Sequence, residues 1–200
     1  RQKIIDATID VIARHGIAET TVARIVERAQ VSMGLVNQQF TSKASLFDEV
    51  LKQLSEHYRQ QWKKALSESP ADTAEKIIAI IRVDLDPAVL NVSNMGVWFS
   101  FRAHVRRRPE YGELVGIWDS ELKEQMGYLF NKLNAQCGKD YPVESVVRGL
   151  VAMQEGLWTE FLLNPNSFDR ERAFSTIVLF LGALYPGQFQ EHLPNVKDTS

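Results

Sequence analysis

The residue types that most often carry out catalysis or bind metals are few in this sequence and lie far apart. Its four histidines are His15, His57, His104 and His192. They form neither an H-E-x-x-H motif nor an i, i+4 pair, and no Cys cluster, phosphate-binding Gly loop or Gly-x-Ser-x-Gly motif is present. Asp119 and Glu155 could be a catalytic acid pair, but nothing else supplies a nucleophile or a metal. The sequence therefore predicts a protein that is not an enzyme and that holds no metal and no cofactor.

Amide side chains are concentrated in one short segment near the N terminus. Residues 21–43 read TVARIVERAQVSMGLVNQQFTSK and predict two short helices joined by a tight turn. The predicted outward residues of the second short helix are Met33, Gly34, Asn37, Gln38 and Gln39. Asn and Gln can donate to and accept from an adenine edge in the major groove, and glycine lets a backbone approach DNA closely. The spacing thus predicts a DNA-binding helix-turn-helix, with a plain solvated helix face as the alternative.

Residues at the predicted helix starts could hold the DNA backbone. Thr20 or Thr21 caps the first of the two short helices, Ser32 caps the second, and Lys43 begins the next one. Hydroxyls, free backbone N–H groups and positive charge at such positions bind phosphate oxygens. Residues 1–64 carry ten Lys or Arg against seven Asp or Glu, a mild excess that also suits DNA.

Apolar residues recur with the helical period along nearly the whole chain, and no segment alternates convincingly as a strand does. This pattern predicts an all-α fold of about nine helices. The predicted helices span residues 4–14, 22–29, 32–39, 44–66, 72–85, 88–106, 109–137, 142–163 and 169–185. We expect a three-helix DNA-binding domain over 1–46, a helical ligand-binding and dimerisation domain over 47–185, and a loose tail over 186–200.

The overall composition is that of a globular protein, with 44% hydrophobic and 24% charged residues. No apolar run approaches the ~20 residues of a membrane span, and no basic-then-apolar signal segment is present. The single cysteine, Cys137, cannot form an intrachain disulfide, which fits a reducing compartment. We therefore expect a cytoplasmic protein that does not interact with membranes.

Large aromatic rings are unusually frequent in the predicted sensor half. The candidate ligand-binding residues are Trp98, Phe101, Trp118, Asp119, Glu155 and Trp158. Rings beside a carboxylate are the components of a quaternary-ammonium site, in which each ring contact is worth about 0.5–2 kcal/mol. The alternative is that the rings are plain core, as aromatic residues at helical spacing usually are. Arg102, if it points inward, favours an anionic ligand instead.

The N-terminal segment closely resembles the helix-turn-helix of TetR-family repressors. The shared pattern is T-V-x-x-I-V-x-x-A-x-V-S-x-G-x-V-x-x-x-F-x-S-K-x-x-L-F, and the resemblance covers residues 1–51. It implies that the second short helix reads the major groove, and that Thr21, Gln39 and Lys43 hold the backbone. It also implies a two-fold dimer that binds a palindromic operator.

The sequence departs from that family at three positions of the motif. Members commonly have Gly where Gln30 stands, Tyr at Asn37, and His or Tyr at Gln39. Gln30 is therefore expected either to adopt an unfavourable backbone conformation or to change the turn slightly. The loss of both aromatic contacts means that no operator sequence can be carried over from relatives.

Residues 84–101 and 150–158 are similar to the BetI branch of the same family. This resemblance implies a repressor of choline-to-glycine-betaine genes that is released by choline. A TetR-type repressor that senses an unrelated apolar or anionic ligand is the alternative within the family. A helical interaction module without a DNA role is the alternative outside it.

Helices 142–163 and 169–185 are apolar on more than one face, which exceeds the need of a single core-facing stripe. Central burial in one subunit could explain this, but the resemblance favours a four-helix interface between two copies. Such a dimer would place two reading helices about 34–36 Å apart. We expect ligand binding among helices 72–137 to tilt helix 44–66 and so change that spacing.

Overall fold

The computed structural model describes residues 1–106 and 109–193, apart from the side chains of residues 110 and 112–119. Within these residues the chain forms nine α-helices and no strand, so the all-α prediction is confirmed. The helices are α1 (Gln2–Glu19), α2 (Val22–Ala29), α3 (Met33–Gln39), α4 (Lys43–Glu68), α5 (Thr73–Leu85), α6 (Val92–His104), α7 (Pro109–Cys137), α8 (Val143–Leu163) and α9 (Arg170–Leu184). None of the described helices has the length and hydropathy needed to cross a membrane.

Two helices differ from the sequence prediction at their ends, for local reasons. The end predicted for α1 near residue 14 is only an interruption. Gly16 has φ 73°, and beyond it the chain resumes helical geometry and continues to Glu19. Helix α6 begins at Val92 rather than at residue 88. There Asp86 accepts a hydrogen bond from the backbone N–H of Ala88, and Asn91 caps the helix by accepting from Asn94 N. These two side chains stabilise a turn where continued helix was expected.

The chain divides into two compact units. The first contains residues 1–60 and 91–121, and the second contains residues 61–90 and the chain from 122 onward. The predicted boundary at residue 46 therefore cuts through the first unit. Helix α4 contributes Leu46, Phe47, Val50 and Leu51 to the core of that unit. Helix α6 adds Val97 and Phe101.

Helices α1 and α6 of the first unit approach each other closely at Gly96. A Cβ atom at this position would lie 3.1 Å from the Cα and 3.3 Å from the Cβ of Ala13. A Cβ at these distances would force its neighbours to shift by a few tenths of an ångström, so the two helix backbones lie unusually close together here. The same helix α1 buries Ile4, Ile5 and Ile12 in the core behind α2 and α3.

The core of the second unit is built from α5, α8, α9 and the last part of α7. The predicted loose tail is wrong for residues 186–193, because Phe189 is fully buried and packs edge-on toward Tyr185. His192 also lies 2.8 Å from the carboxylate of Glu75. Residues 194–200 lie outside the described part of the chain.

Candidate nucleic-acid interface and sensor site

The turn between α2 and α3 is tight and contains a left-handed residue. Gln30 has φ 50° and ψ 52°, and its N–H bonds to the carbonyl of Glu27. Among the described residues it is the one non-glycine residue with positive φ. The conformation costs an L-residue roughly 1–2 kcal/mol. The expected strain at Gln30 is confirmed.

Both short helices begin at a capped residue, so their starting points are fixed by local hydrogen bonds. The Thr21 hydroxyl accepts from Arg24 N at 3.2 Å, and the Ser32 hydroxyl accepts from Leu35 N at 3.2 Å. Such caps stabilise a helix by about 1 kcal/mol. Thr20 is instead fully buried, and its hydroxyl donates to the carbonyl of Gly16 at 2.7 Å. Thr20 is therefore removed from the predicted phosphate contacts.

Helix α3 leaves most of its surface outside the protein. Val36 and Phe40, one turn apart, fill its inward side and are buried. The exposed residues of α3 are Met33, Gly34, Leu35, Asn37, Gln38 and Gln39. The outward set predicted from sequence is thus exposed, and Leu35 joins it with 37% of its surface accessible. Leu35 could have been found from its spacing, because it lies about 100° from Val36 on the helix.

Gly34 is not required by anything inside the protein. Its φ is not positive, and an added Cβ would meet only the Ser32 hydroxyl, at 3.9 Å. A glycine inside a helix costs up to about 1 kcal/mol relative to alanine. The chain carries this cost on its most exposed short helix, which is what close approach of an external surface would demand.

The start of α4 is held by a reciprocal pair of hydroxyl bonds. Ser45 N donates to Ser42 Oγ at 3.0 Å, and Ser42 N donates to Ser45 Oγ at 3.1 Å. Lys43 follows directly, half-buried, with its Nζ 5.1 Å from the centroid of the Phe47 ring. The lysine is therefore positioned beside α3 by the same local structure that starts α4.

The aromatic residues predicted to bind ligand have different surroundings in the first unit. Phe101 is fully buried, edge-on to Tyr111 with centroids 4.9 Å apart and to Phe47 at 6.1 Å. The plain-core alternative holds for Phe101. Trp98 is half-buried against the same core, and its buried indole N–H has no acceptor among the described residues. Arg102 lies over the Trp98 ring, 5.7 Å from its centroid.

In the second unit, Trp158 contacts a buried acid that the sequence reasoning missed. Asp84 on α5 is only 1% exposed, and its carboxylate accepts a hydrogen bond from Gln154 on α8. The Trp158 indole N–H donates to the Asp84 carbonyl at 3.2 Å. Asp84 lies seven residues after the buried Ile77, so it occupies an apolar stripe. An acidic residue on such a stripe was the available signal.

Three predicted ligand residues remain, and the structure describes the side chain of one of them. Glu155 is half-buried and follows Gln154 on α8. The side chains of Trp118 and Asp119 lie outside the described residues. In the described part of the chain no group of three or more His, Cys, Asp or Glu residues could hold a metal ion.

Two family matches cover most of the chain. Residues 4–50 match the bacterial regulatory proteins of the tetR family, and residues 70–185 match the C-terminal domain of BetI-type transcriptional repressors. The chain is 29% identical to the HTH-type transcriptional regulator BetI 1 of Chromohalobacter salexigens, over 86% of this chain and 84% of that protein. It is 28% identical to the regulator BetI of Stenotrophomonas maltophilia, over 86% of each.

Solved structures share the fold. A transcriptional regulator from Pseudomonas aeruginosa superposes with a TM-score of 0.82 at 22% identity, covering 96% of this chain and 92% of that one. A transcriptional regulator from Saccharomonospora viridis in complex with choline gives 0.80 at 17% identity, covering 90% and 94%. The BetI-type match alone spans more than half of the residues. The chain therefore belongs to the TetR family of transcriptional regulators, in its BetI-type branch, and is not an enzyme.

Proposed function

We propose that the protein is a homodimeric repressor that binds a palindromic operator through α3 and leaves it when a small molecule binds the second unit. The observation that carries the DNA-binding part is the exposed, glycine-bearing face of α3. Thr21, the α4 start with Lys43, and Gln39 would hold phosphates, while Met33, Asn37 and Gln38 would face base edges. Such a protein acts in the cytoplasm, where its operator is.

Substitution of Gly34 tests the DNA-binding proposal. Gly34→Ala should raise the free energy of unfolding by up to about 1 kcal/mol, because alanine favours helix and the protein leaves the space open. The same change should weaken operator binding at least tenfold, because the methyl group would lie between α3 and the duplex. Gly127→Ala is the matched control, because the Cβ of a residue there meets nothing within 4 Å. A Gly34→Ala variant with unchanged affinity for duplex DNA would contradict the proposal.

The dimer is proposed from the outward faces of α8 and α9. Leu179 and Leu163 are 62% and 73% exposed, and Phe180 and Leu184 are half-buried, although Val178 and Leu181 already fill the core side of α9. Leucines this exposed lose contact with water when a second copy covers them. Leu179→Glu should therefore shift the protein to a monomer in sedimentation and abolish tight operator binding. A dimer that survives this change would place the interface elsewhere.

For the effector we propose a quaternary ammonium compound such as choline, so that the regulated genes would serve glycine betaine synthesis. In this proposal the Asp84 carboxylate would supply negative charge, and Trp158, whose indole N–H bonds to the Asp84 carbonyl, would supply an aromatic face. The two groups together would attract a quaternary ammonium group, whose nitrogen carries no N–H. The BetI-type match and the choline complex of a similarly folded regulator support the same ligand class.

Thermal unfolding with added ligand tests the effector. Choline at a hundred times its Kd should stabilise the protein by about 2.7 kcal/mol. The gain should be lost in Asp84→Asn but kept in Glu160→Gln, an exposed acid on the same helix as Trp158. Stabilisation by fatty or aromatic acids, with none by choline, would favour the alternative of an anionic or apolar ligand.

The switch itself is tested on operator DNA. A ligand that couples to DNA binding by the usual 1–3 kcal/mol should lower operator affinity about 5- to 150-fold. The proposed route is a tilt of α4, which begins beside α3 and contributes residues to both units. If a ligand that is known to bind leaves the operator affinity unchanged, the proposed switch is contradicted.

A further inference from the structure

Helix α3 exposes amide and apolar side chains but no charged side chain. Its sequence, MGLVNQQ, contains no charged residue. Arg and Lys are the usual partners of guanine in the major groove, and Asp or Glu can accept from cytosine N4. Asn and Gln are the usual partners of adenine, and apolar groups contact the C5 methyl of thymine. The helix therefore carries the groups that read A·T pairs, and none of the charged groups that read G·C pairs.

The apolar residues on α3 are exposed to an unusual degree. Among the described residues only six large hydrophobic side chains are exposed, and two of them, Met33 and Leu35, lie on this seven-residue helix. Neither is needed for the core, because Val36 and Phe40 occupy the inward side. Exposed leucine and methionine on a short polar helix cost solubility unless another surface covers them.

Leu35 and Gln38 share one side of the helix. They are three residues apart, so their side chains neighbour each other about one turn apart. Gly34 lies between this side and Asn37, and its missing side chain opens the centre of the exposed face. A duplex that approaches over Gly34 would therefore meet an amide and an apolar group at adjacent base pairs.

We propose that Leu35 contacts the C5 methyl of a thymine in each operator half-site, while Gln38 bonds to the adenine of a neighbouring A·T pair. This inference rests on the proposed DNA-binding function and specifies which bases α3 selects. The half-site positions covered by α3 are accordingly A·T pairs, and their recognition depends on a methyl group.

In vitro selection of randomised duplexes by the full-length protein supplies the operator. Each thymine of the selected site is then replaced by deoxyuridine, which removes only the C5 methyl. Wild-type protein should lose about three- to fivefold in affinity at one position per half-site, the value expected for one buried methyl. Gln38→Ala should lose roughly five- to a hundredfold on the unmodified operator.

The variant Leu35→Ala tests whether Leu35 is the residue that contacts the thymine methyl group. It should bind thymine and uracil operators equally, whereas Val92→Ala, which alters an exposed apolar residue of the same unit, should keep the wild-type preference for thymine. Selected sites with G·C pairs under α3, or a uracil effect that persists in Leu35→Ala, would overturn the inference while leaving DNA binding intact. A wild-type protein that selected no duplex at all would overturn the proposed function as well.

Discussion

The two units place their polar chemistry in opposite locations. In the first unit, the described buried polar residues are hydroxyls, of which Thr8 and Thr20 bond to carbonyls four residues earlier. Its amides face the solvent on α3. In the second unit, a carboxylate and an amide are buried, at Asp84 and Asn134, and each is bonded to a residue more than fifty positions away.

This difference is what the proposed function would require of each unit. A duplex is large and cannot enter a protein, so the groups that read it must stand outside a plain apolar core. A small molecule can be enclosed, so polar groups that bind it can lie inside, where a low dielectric strengthens each interaction. The comparison leads to four predictions, from the largest expected effect to the smallest.

The plain core of the first unit makes the strongest prediction. Phe101→Ala should lower the free energy of unfolding by about 3–5 kcal/mol, because a fully buried ring is replaced by a cavity. Tyr128→Ala, which removes a ring that is 63% exposed in the second unit, should change it by less than about 0.5 kcal/mol. Urea unfolding measures both. A small effect at Phe101 would mean that this ring lines a site rather than the core.

The buried polar groups of the second unit predict an alkaline loss of stability. Burial raises the pKa of Tyr185 to about 12, and its hydroxyl donates to Asn134 at 2.8 Å. Because the folded pKa lies above the unfolded value near 10, stability is complete below pH 10 and falls as the pH rises toward 12. The loss should be on the order of 2 kcal/mol.

Tyr185→Phe isolates this contribution. The variant should be less stable at neutral pH by about 1–3 kcal/mol, since Asn134 loses a buried partner. Its unfolding free energy should then fall less steeply than that of the wild type between pH 10 and 12. Parallel curves for the two proteins would show that Tyr185 is not the titrating group.

Removing a helix cap from each unit distinguishes an effect on folding from an effect on DNA binding. Ser32→Ala in the first unit and Asp72→Ala, which removes the cap of α5 in the second, should each cost about 1 kcal/mol of stability. Only Ser32→Ala should also weaken operator binding, because it loosens the start of α3. Equal losses of operator affinity in both variants would indicate a global effect and would weaken the contrast between the units.

Substitutions at two positive-φ residues, Gln30 and Gly138, should give the smallest changes in stability, with opposite signs. Gln30→Gly should stabilise the protein by about 0.5–1 kcal/mol, because glycine adopts positive φ without strain. Gly138→Ala should destabilise it by about 1 kcal/mol, since Gly138 has φ 60° and its Cβ would meet nothing. Thermal unfolding of the two variants tests whether backbone conformation alone sets both signs.

The two units could be predicted from the sequence to different extents. The helix-turn-helix of the first unit could be predicted because its elements are short and their signals are local: Ser32 caps α3, Gln30 makes the turn, and Val36 with Phe40 marks the inward side. The exception was Thr20, whose neighbour Thr21 is the true cap. Two adjacent threonines give the same sequence signal, and only the structure shows which one is buried.

The second unit was harder to predict because its polar contacts join distant residues. Asp84 meets Gln154 across 70 positions and Trp158 across 74, and spacing along one helix cannot reveal such pairs. The tail was misjudged for the same reason, since His192 meets Glu75 more than a hundred positions away. Helix periodicity identified the helices, whereas their packing partners had to come from the structure.

The contact of Gly96 with Ala13 has a mechanical consequence for regulation. Where two backbones touch, neither helix can slide or rotate at that point without displacing the other. Helix α1 supports α2 and α3 from behind, so a turn of α6 by even a few degrees would carry the base of the reading domain with it. If the proposed switch passes through this contact, bulk added there, as in Gly96→Val, should force α1 and α6 apart and weaken operator binding both with and without ligand.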